Sequence, residues 1–320
     1  MPAYLEGRAS SLIMKPRVLF FSAAEISIPC LEVLKNTDYV DFVGIVTQPE
    51  RARGRGQQVQ LNPIGLWAEQ HAIPFFQAEK MDDATYDWLS AQQPDLIFVM
   101  AFGHILKPHF LSLPSMGMWN FHTSLLPKYR GASPIQTAIL NGEPFSGVTL
   151  MSMAEKMDAG PWLAQKKVVL EAQETTTILT QKMAQASAEL LEENLAVLLN
   201  RNYKLTKQNP DEVTFCSKYT KADGELDFSK PAEALERQIR AFQPWPGSYF
   251  FKNNERYIVH KAHVTFSENL AQNAGTFYVD SQKKSLYVTT SCGNLHFEIL
   301  QKSGGKPMPV ADLLRGDKNF

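Results

Sequence analysis

Cysteine is scarce in this chain, and long apolar runs are missing. The three cysteines, Cys30, Cys216 and Cys292, lie far apart in the sequence and form no Cys-x-x-Cys pair. This spacing argues against a disulfide framework or a zinc ribbon and indicates a reducing compartment, so we expect a cytoplasmic protein. No segment approaches the roughly 20 consecutive apolar residues of a membrane-spanning helix. The sequence therefore predicts no membrane partner.

Further sequence signals are absent as well. Residues 1–14 lack an apolar stretch of signal-peptide length, and we interpret them as a flexible extension. Because Met14 directly precedes the first strand pattern, residues 1–13 could instead result from a misassigned start. The first strand, R-V-L-F-F, is not followed by G-x-G-x-x-G, which argues against a nicotinamide-dependent dehydrogenase. The basic segment E-R-A-R-G-R-G-Q lacks the G-x-x-x-x-G-K-[ST] order of a P-loop.

Charge of one sign does not dominate the whole chain, whose net charge is −1. The two parts differ, however. Residues 1–203 contain 16 Lys and Arg against 20 Asp and Glu, and residues 204–320 contain 16 against 13. The asymmetry indicates a basic surface on the C-terminal part.

Apolar strand patterns alternate with helical patterns from residue 17 to about residue 200 of the 320. This alternation predicts a largely parallel α/β sheet. Short alternating strands separated by Gly, Asn and Ser follow, which predicts a small β-barrel or sandwich. Its aromatic residues are expected in the core: Tyr249, Phe250, Tyr257, Phe277 and Tyr278. We place one domain at residues 15–203, a connector at 204–220 and a second domain at 221–320.

The segment W-N-F-H-T-S-L-L-P at residues 119–127 carries two polar residues at the end of a strand. Asn120 and His122 are two apart and share a strand face. Ligand crevices in open α/β sheets lie outside the carboxyl ends of the strands, and a carboxamide beside an imidazole can hold an oxyanion. For an isolated N-x-H pattern, a hydrogen-bonded core histidine and a turn asparagine would be the better interpretation.

The loop that follows, S-L-L-P-K-Y-R-G-A-S-P, is bounded by prolines. It leads into a helix for which Ser133 and Gln136 predict a capping box, with Pro134 at the first helical position. We expect the loop's backbone amides to be open to a ligand. Further on, E-K-M-D-A-G-P places Asp158 in a turn after a strand, where an acid could reach the imidazole and keep it protonated. Considered alone, Asp158 is better interpreted as an ordinary turn aspartate.

Four motifs in order resemble the folate-dependent formyltransferases from about residue 15 to the end. They are N-F-H-T-S-L-L-P-K-Y-R-G-A-S-P-I-Q with M-D-A-G, T-Q-P-E-R-A-R-G-R-G, D-L-I-F-V-M-A-F-G-H-I-L-K and A-F-Q-P-W-P-G-S-Y. Within this family the likeness is greatest to the branch that formylates methionyl-tRNA. The resemblance implies a Rossmann-like formyltransferase domain followed by a small OB-like β-barrel domain that binds tRNA.

The resemblance also implies a chemistry. The family moves the formyl group of 10-formyltetrahydrofolate to a primary amine, here the α-amino group of initiator methionyl-tRNA. Carried over by motif, Asn120 and His122 stabilise the oxyanion, and Asp158 keeps His122 charged and helps to remove the amine's proton. Ser124, Leu125, Leu126 and Pro127 line the formyl-folate site. No metal is required, because preorganised donors can stabilise the transition state by about 3–4 kcal/mol each. We expect a monomer.

The tRNA would contact basic residues in two places. The first is a glycine-containing loop with Arg51, Arg53 and Arg55, whose side chains could bind phosphates. The resemblance implies that this loop contacts the acceptor stem of the tRNA, although such a charge run is usually a solvated loop. Lys218 and Lys221 in the connector fit a surface that follows the RNA backbone.

Several rival functions are compatible with part of the same pattern. A sugar-nucleotide N-formyltransferase would not be expected to carry the R-A-R-G-R-G loop, and a glycinamide ribonucleotide formyltransferase would lack the C-terminal β domain. A formyl-folate hydrolase would use the same centre with water as the acceptor, and a non-catalytic tRNA-binding protein would need no centre.

The sequence departs from the family pattern in two places. The first turn reads S-A-A-E-I at residues 22–26 instead of G-T-P, an acid and an aromatic, and Thr123 replaces a small residue. Neither departure involves Asn120, His122 or Asp158.

Overall fold

The computed structural model describes residues 14–49, 51–53, 58–266, 273–282 and 284–320, with the backbone alone at residues 51–53 and 58–60. The strands up to residue 169 are β1 (Arg17–Phe21), β2 (Asp41–Thr47), β3 (Arg51–Arg53), β4 (Gln58–Gln60), β5 (Phe75–Gln77), β6 (Leu96–Val99), β7 (Met118–His122), β8 (Arg130–Gly131), β9 (Phe145–Ser152) and β10 (Trp162–Val169). The helices are α1 (Ile28–Asn36), α2 (Pro63–Gln70), α3 (Asp83–Ala91), α4 (Pro108–Leu111), α5 (Pro134–Leu140) and α6 (Thr176–Leu199).

Seven of these strands form one sheet in the order β10-β9-β7-β6-β1-β2-β5. The pairs from β7 to β5 are parallel, whereas β9 runs antiparallel to both β7 and β10. Strands β1 and β6 are apolar and buried on both faces, as expected for the centre of a parallel sheet with helices on each side. The predicted α/β sheet is confirmed.

Two apolar cores lie on opposite faces of this sheet. One joins β7 residues Trp119 and Phe121 to helices α1, α2, α5 and α6. The second joins Met118 to Leu89 of α3 and Phe110 of α4. Because alternate residues of β7 enter different cores, the predicted division of that strand into two faces is confirmed.

The capping box predicted at the start of α5 is wrong. The Ser133 side chain makes no capping hydrogen bond, and its backbone (φ −137°, ψ 51°) is not in the extended conformation usual for a capping residue. The Ser133 carbonyl instead accepts hydrogen bonds from the amide and the hydroxyl of Thr137, at 3.1 and 2.8 Å.

The C-terminal part forms a second sheet. Its elements, in chain order with the connector strand first, are β11 (Phe215–Cys216), α7 (Ala232–Ala241), β12 (Ser248–Lys252), β13 (Glu255–Thr265), β14 (Phe277–Val279), β15 (Leu286–Thr289), β16 (Asn294–Lys302), β17 (Met308–Pro309) and α8 (Val310–Gly316). Strands β12-β13-β16-β15-β14 are antiparallel neighbours, and β17 pairs with β16. The predicted small barrel is therefore a curled six-stranded sheet, a half-barrel.

A separate core fills this half-barrel. Phe250, Tyr257 and Phe277 pack in it, as predicted, and Phe250 stacks on Tyr257 with ring centroids 5.4 Å apart. Tyr249 and Tyr278 lie outside that cluster.

Helix α7 also contacts the layer of the first sheet, because Arg237 Nε donates to the Leu140 carbonyl at 3.0 Å. In the part of the chain described, no helix is both long and apolar enough to cross a membrane.

Candidate active site

Strand β7 brings Asn120 and His122 to the carboxyl end of the parallel strands. Asn120 pairs in register with Val99 of β6 and Met151 of β9, and its side chain is half-buried. Trp119, on the opposite face, donates its indole N–H to the Met116 carbonyl at 3.1 Å. Among the described residues the Asn120 carboxamide has no hydrogen-bond partner, so its donors and its acceptor are free to bind a ligand.

The His122 imidazole is buried, with 6% of its surface exposed, and both ring nitrogens face defined groups. Nε2 lies 2.9 Å from the Tyr129 carbonyl oxygen, which can only accept, so Nε2 carries a hydrogen. Nδ1 lies 3.7 Å from Asp158 Oδ2, an ion-pair distance that is longer than a hydrogen bond. With Nε2 occupied, Nδ1 is the nitrogen that can serve a reacting group.

Asp158 lies in the turn between β9 and β10, with a positive φ of 51°. Its Oδ2 accepts a hydrogen bond of 2.8 Å from the Gly131 amide. A non-glycine residue with positive φ is uncommon and is maintained only where its surroundings hold it. The carboxylate that faces His122 is therefore oriented by the backbone of the loop that also holds the imidazole.

That loop, residues 123–133, is held by two side chains from β9 and β10. Thr149 Oγ1 donates to the Ser124 carbonyl at 2.6 Å and accepts from the Leu126 amide at 3.0 Å. Gln165 Nε2 donates to the Leu126 carbonyl at 2.7 Å and to Thr149 Oγ1 at 3.0 Å. Ser124 is fully buried and donates to the Lys128 carbonyl at 2.6 Å.

The expectation that the loop's amides are open to a ligand is wrong for most of the loop. Internal hydrogen bonds use the amides of Leu126, Lys128, Tyr129, Arg130, Gly131 and Ala132. Of the four residues predicted for the formyl-folate site, Ser124 and Leu126 are buried, whereas Leu125 and Pro127 are half-buried. Proline boundaries did not reveal these partners because they come from distant strands.

The conformation of Tyr129 fixes its own carbonyl, to which His122 donates a hydrogen bond. Its backbone has a positive φ of 59°, and its hydroxyl bonds to the Glu143 carboxylate and accepts from Asn141 Nδ2 at 3.0 Å. Burial, reinforced by Glu143, raises the pKa of Tyr129 to about 12. The phenol is therefore neutral at physiological pH and remains a hydrogen-bond donor.

The connector also contacts this centre, through the loop 123–133. Strand β11 runs parallel to β8, and Thr214 bonds to the amides of both Tyr129 and Arg130, at 2.8 and 2.9 Å. A Cβ on Gly131 would lie 2.1 Å from the Cys216 carbonyl oxygen, so only glycine permits this approach. Apart from this one glycine, no sequence signal indicated that the connector belongs to the site.

The sequence profile described as "Formyl transferase" matches residues 17–195, and the profile described as "Formyl transferase, C-terminal domain" matches residues 218–318. The chain belongs to the formyl transferase family. It is 36% identical over 301 residues to a protein of Agathobacter rectalis named methionyl-tRNA formyltransferase, covering 94% of this chain and 96% of that one. A protein of the same name from Thermotoga maritima is 36% identical over 94% of this chain and 95% of its own.

Solved structures share the fold of this formyl transferase. An N-formyltransferase from Helicobacter canadensis, in complex with folinic acid and dTDP-3-aminofucose, superposes with a TM-score of 0.65 at 20% identity, over 91% of this chain and all of that one (100%). HypX from Aquifex aeolicus in complex with tetrahydrofolic acid superposes with a TM-score of 0.63 at 17% identity, over 93% of this chain and 46% of that one.

The predicted tRNA-binding residues of this formyl transferase lie away from the His122 centre in the sequence. The backbone of Arg51 and Arg53 forms β3, which pairs antiparallel with β4, and Arg55 lies outside the described residues. Lys218 and Lys221 are exposed and lie between β11 and the short 3-10 helix Ala222–Gly224. Neither lysine is hydrogen-bonded or ion-paired through its side chain to a described residue of the centre.

Two observations bear on a bound folate. The Nε2 atom of His104, on the loop after β6, is buried and has no hydrogen-bond partner within the described ranges. Gln48 Nε2 holds this loop by donating to the Phe102 carbonyl at 2.8 Å. The half-buried Asn120 carboxamide can contact a heteroaromatic ligand directly, whereas the buried His104 nitrogen would contact one only if its loop moved. Across the described residues, no cluster of three or more His, Cys, Asp or Glu side chains could hold a metal ion.

The altered first turn keeps a defined geometry. Ser27 Oγ donates to Ser22 Oγ at 2.8 Å, and the Ala24 amide donates to Ser22 Oγ at 3.3 Å. Ser22 is fully buried. A pair of serine hydroxyls therefore closes the turn where Gly and Pro are missing.

Proposed function

We propose that this chain transfers the formyl group of 10-formyltetrahydrofolate to the α-amino group of methionine on initiator methionyl-tRNA, giving N-formylmethionyl-tRNA for translation initiation. One observation carries the proposal. An unpartnered carboxamide, Asn120, and an imidazole paired with a carboxylate, His122 and Asp158, meet at the end of β7. The similarity to proteins named methionyl-tRNA formyltransferase over 94% of the chain supports the choice of acceptor.

The reaction begins when the neutral amine attacks the formyl carbon. The carbonyl oxygen becomes an oxyanion, and the Asn120 carboxamide and the Nδ1–H of His122 donate hydrogen bonds to it. Because Nε2 already donates to the Tyr129 carbonyl, Nδ1 carries a hydrogen only when the ring is an imidazolium. Preorganised donors of this kind stabilise a transition state most strongly where the developing charge is shielded from water.

Asp158 has two tasks in this scheme. At 3.7 Å its carboxylate stabilises the imidazolium of His122. It also accepts the proton that the attacking nitrogen loses, through a water molecule. Collapse of the tetrahedral intermediate breaks the bond between the formyl carbon and the folate nitrogen, and that nitrogen takes up a proton. The products are the formamide and tetrahydrofolate.

Substrates would reach this centre from two sides. We assign folate contacts to the loop 123–133, including Leu125 and Pro127, and to the loop after β6. The tRNA would contact Arg51, Arg53 and Arg55 of the basic loop, and Lys218 and Lys221 of the connector. Residues 15–203 then form the catalytic domain, 204–220 the connector and 221–320 the tRNA-binding domain.

A competition between acceptors tests this function. The purified protein is incubated with 10-formyltetrahydrofolate and, in separate reactions, methionyl-tRNA or a dTDP-linked amino sugar, and the formylated amine is quantified by mass spectrometry. We expect formylation of methionyl-tRNA alone. Formylation of the amino sugar alone would establish a sugar-nucleotide N-formyltransferase, and tRNA binding without formyl transfer would establish a non-catalytic binding protein.

A further inference from the structure

Gln208 of the connector joins the two segments that hold the reacting groups. Its Nε2 donates to the Asp158 carbonyl at 2.8 Å and to the Gly160 carbonyl at 2.7 Å. Its Oε1 accepts from Nε and one terminal nitrogen of Arg130, at 3.0 and 2.8 Å. An amide has two donor hydrogens and two acceptor lone pairs. All four are used between these two segments, and Gln208 is half-buried.

Each contacted segment orients one member of the centre. The carbonyls of Asp158 and Gly160 belong to the same turn and directly follow the backbone bond at which Asp158 adopts its positive φ of 51°. Arg130 lies between Tyr129, whose carbonyl accepts from His122, and Gly131, whose amide donates to the Asp158 carboxylate. A side chain that fixes both segments therefore sets the position of the carboxylate relative to the imidazole.

We infer that Gln208 is a positioning residue for Asp158, which makes the connector a working part of the catalytic centre. This inference rests on the formyl transfer proposed above. Gln208 does not reach the reacting atoms and acts only through the turn that carries Asp158. Misplacing a reacting group by about 1 Å can slow a reaction about 100-fold, so loss of the two bonds to the turn should lower kcat and leave donor binding unchanged.

Replacement of Gln208 by Glu separates its two contacts. A glutamate of the same length can still accept from Arg130 but cannot donate to the carbonyls of Asp158 and Gly160. We expect Gln208→Glu to lower kcat about 10- to 100-fold, with the KM for the formyl donor within about twofold of the wild-type value. The matched control is Asn209→Ala, because Asn209 is exposed and its side chain bonds only to the amide of Asp211 in the same connector. It should retain wild-type kcat.

A double-mutant cycle with Asp158→Ala tests whether Gln208 acts through Asp158. If it does, the variant that carries both substitutions is no slower than Asp158→Ala alone, because the group to be positioned is already gone. The inference would be overturned if the double variant lost the product of the two single-variant reductions in kcat. A wild-type kcat for Gln208→Glu would also overturn it. The cycle is measured with whichever amine the wild-type protein formylates. A wild-type protein that does not formylate methionyl-tRNA therefore contradicts the proposed function, while the role of Gln208 is still tested with the other amine.

A crystal structure of the Gln208→Met variant supplies a readout that needs no amine and guards against misfolding of the charged variant. Methionine keeps the length of the side chain but donates no hydrogen bond. We expect the Asp158 turn to shift and the 2.8 Å bond from the Gly131 amide to lengthen or break. An Asp158 carboxylate that stays in place in this variant would overturn the inference.

Discussion

At the scale of the residue, the candidate centre depends on groups that fix the direction of each reacting atom. The Tyr129 carbonyl assigns Nε2 of His122 as a donor, and the Gly131 amide directs one oxygen of Asp158 toward Nδ1. The Asn120 carboxamide is left without a partner among the described residues. The proposed chemistry therefore uses three side chains, while the supporting bonds come from backbone groups and from side chains on neighbouring strands.

Thr149 offers a test at this scale. We predict that Thr149→Val, which keeps the shape but removes the hydroxyl, destabilises the protein by about 1–3 kcal/mol, because the buried Leu126 amide loses its partner. The KM for the formyl donor should rise as the loop loosens. Urea denaturation and steady-state kinetics measure the two effects. Thr149→Ser, which keeps the hydroxyl, is the control, and a Val variant equal to the Ser variant in both measurements would contradict the assignment.

The residues that could be predicted from the sequence are those whose signal is local. Asn120 and His122 are two apart on one strand, and their shared face follows from the period of a strand. Asp158 could be paired with them only by resemblance to a family, because the turn lies 36 residues after His122. Thr149, Gln165 and Gln208 carry no local pattern at all, since their roles depend on which strands become neighbours.

At the scale of the element, the pairing of β8 with β11 binds the connector to the loop 123–133 of the candidate centre. Both strands contain two residues, and Arg130 lies opposite Phe215 and Gly131 opposite Cys216. Gly131 has a φ of 126° and no room for a Cβ. The β8–β11 pair therefore depends on Gly131. In the sequence this glycine is only part of a loop, and nothing there indicates a strand.

Substitution of that glycine is expected to separate the two strands. We predict that Gly131→Ala costs about 2–4 kcal/mol of unfolding free energy, through backbone strain and the clash with the Cys216 carbonyl. Gly316→Ala is the matched control, because no described atom beyond its chain neighbours and its own helix backbone lies within 4 Å of its added Cβ, and it should change stability by less than about 1 kcal/mol. Equal melting temperatures for the two variants would contradict the role of the β8–β11 pair.

Long periodic elements were predictable from the sequence, and short ones were not. The central strands and helix α6 follow from continuous apolar runs and a sustained helical period. The pairs β3–β4 and β8–β11 consist of strands of two or three residues, too short to show any period. The capping box before α5 had the right residue types, yet the backbone angles of Ser133 do not support it.

At the scale of the whole molecule, the two sheets are joined through α7 and the connector. Ala241 and Phe242 enter the first core, while Leu235 and Ile239 of the same helix enter the core of the half-barrel. The connector pairs with the loop 123–133 and then leads to two exposed lysines, at positions 218 and 221. The proposed binding of an RNA backbone at these lysines would therefore take place next to the segment that supports the Asp158 carboxylate.

Salt dependence tests the role of that segment. We predict that affinity for methionyl-tRNA falls steeply between low and moderate salt, because each phosphate contact releases counterions. Lys218→Ala and Lys221→Ala should each reduce the slope of log affinity against log salt by about 1. Lys306→Ala removes the same charge from an exposed turn between β16 and β17 and should leave the slope unchanged. A flat dependence, or equal effects of all three variants, would contradict the assignment.

A comparison of single-turnover rates between the wild-type protein and Asp158→Ala tests the central claim most directly. The reaction measured is formyl transfer from 10-formyltetrahydrofolate to methionyl-tRNA. Loss of the carboxylate removes both the stabilisation of the imidazolium and the proton acceptor, each worth about 100-fold or more. We predict rapid transfer by the wild-type protein and a rate lowered at least about 1,000-fold in the variant, with unchanged affinity for the folate. Transfer by Asp158→Ala at the wild-type rate would contradict the claim.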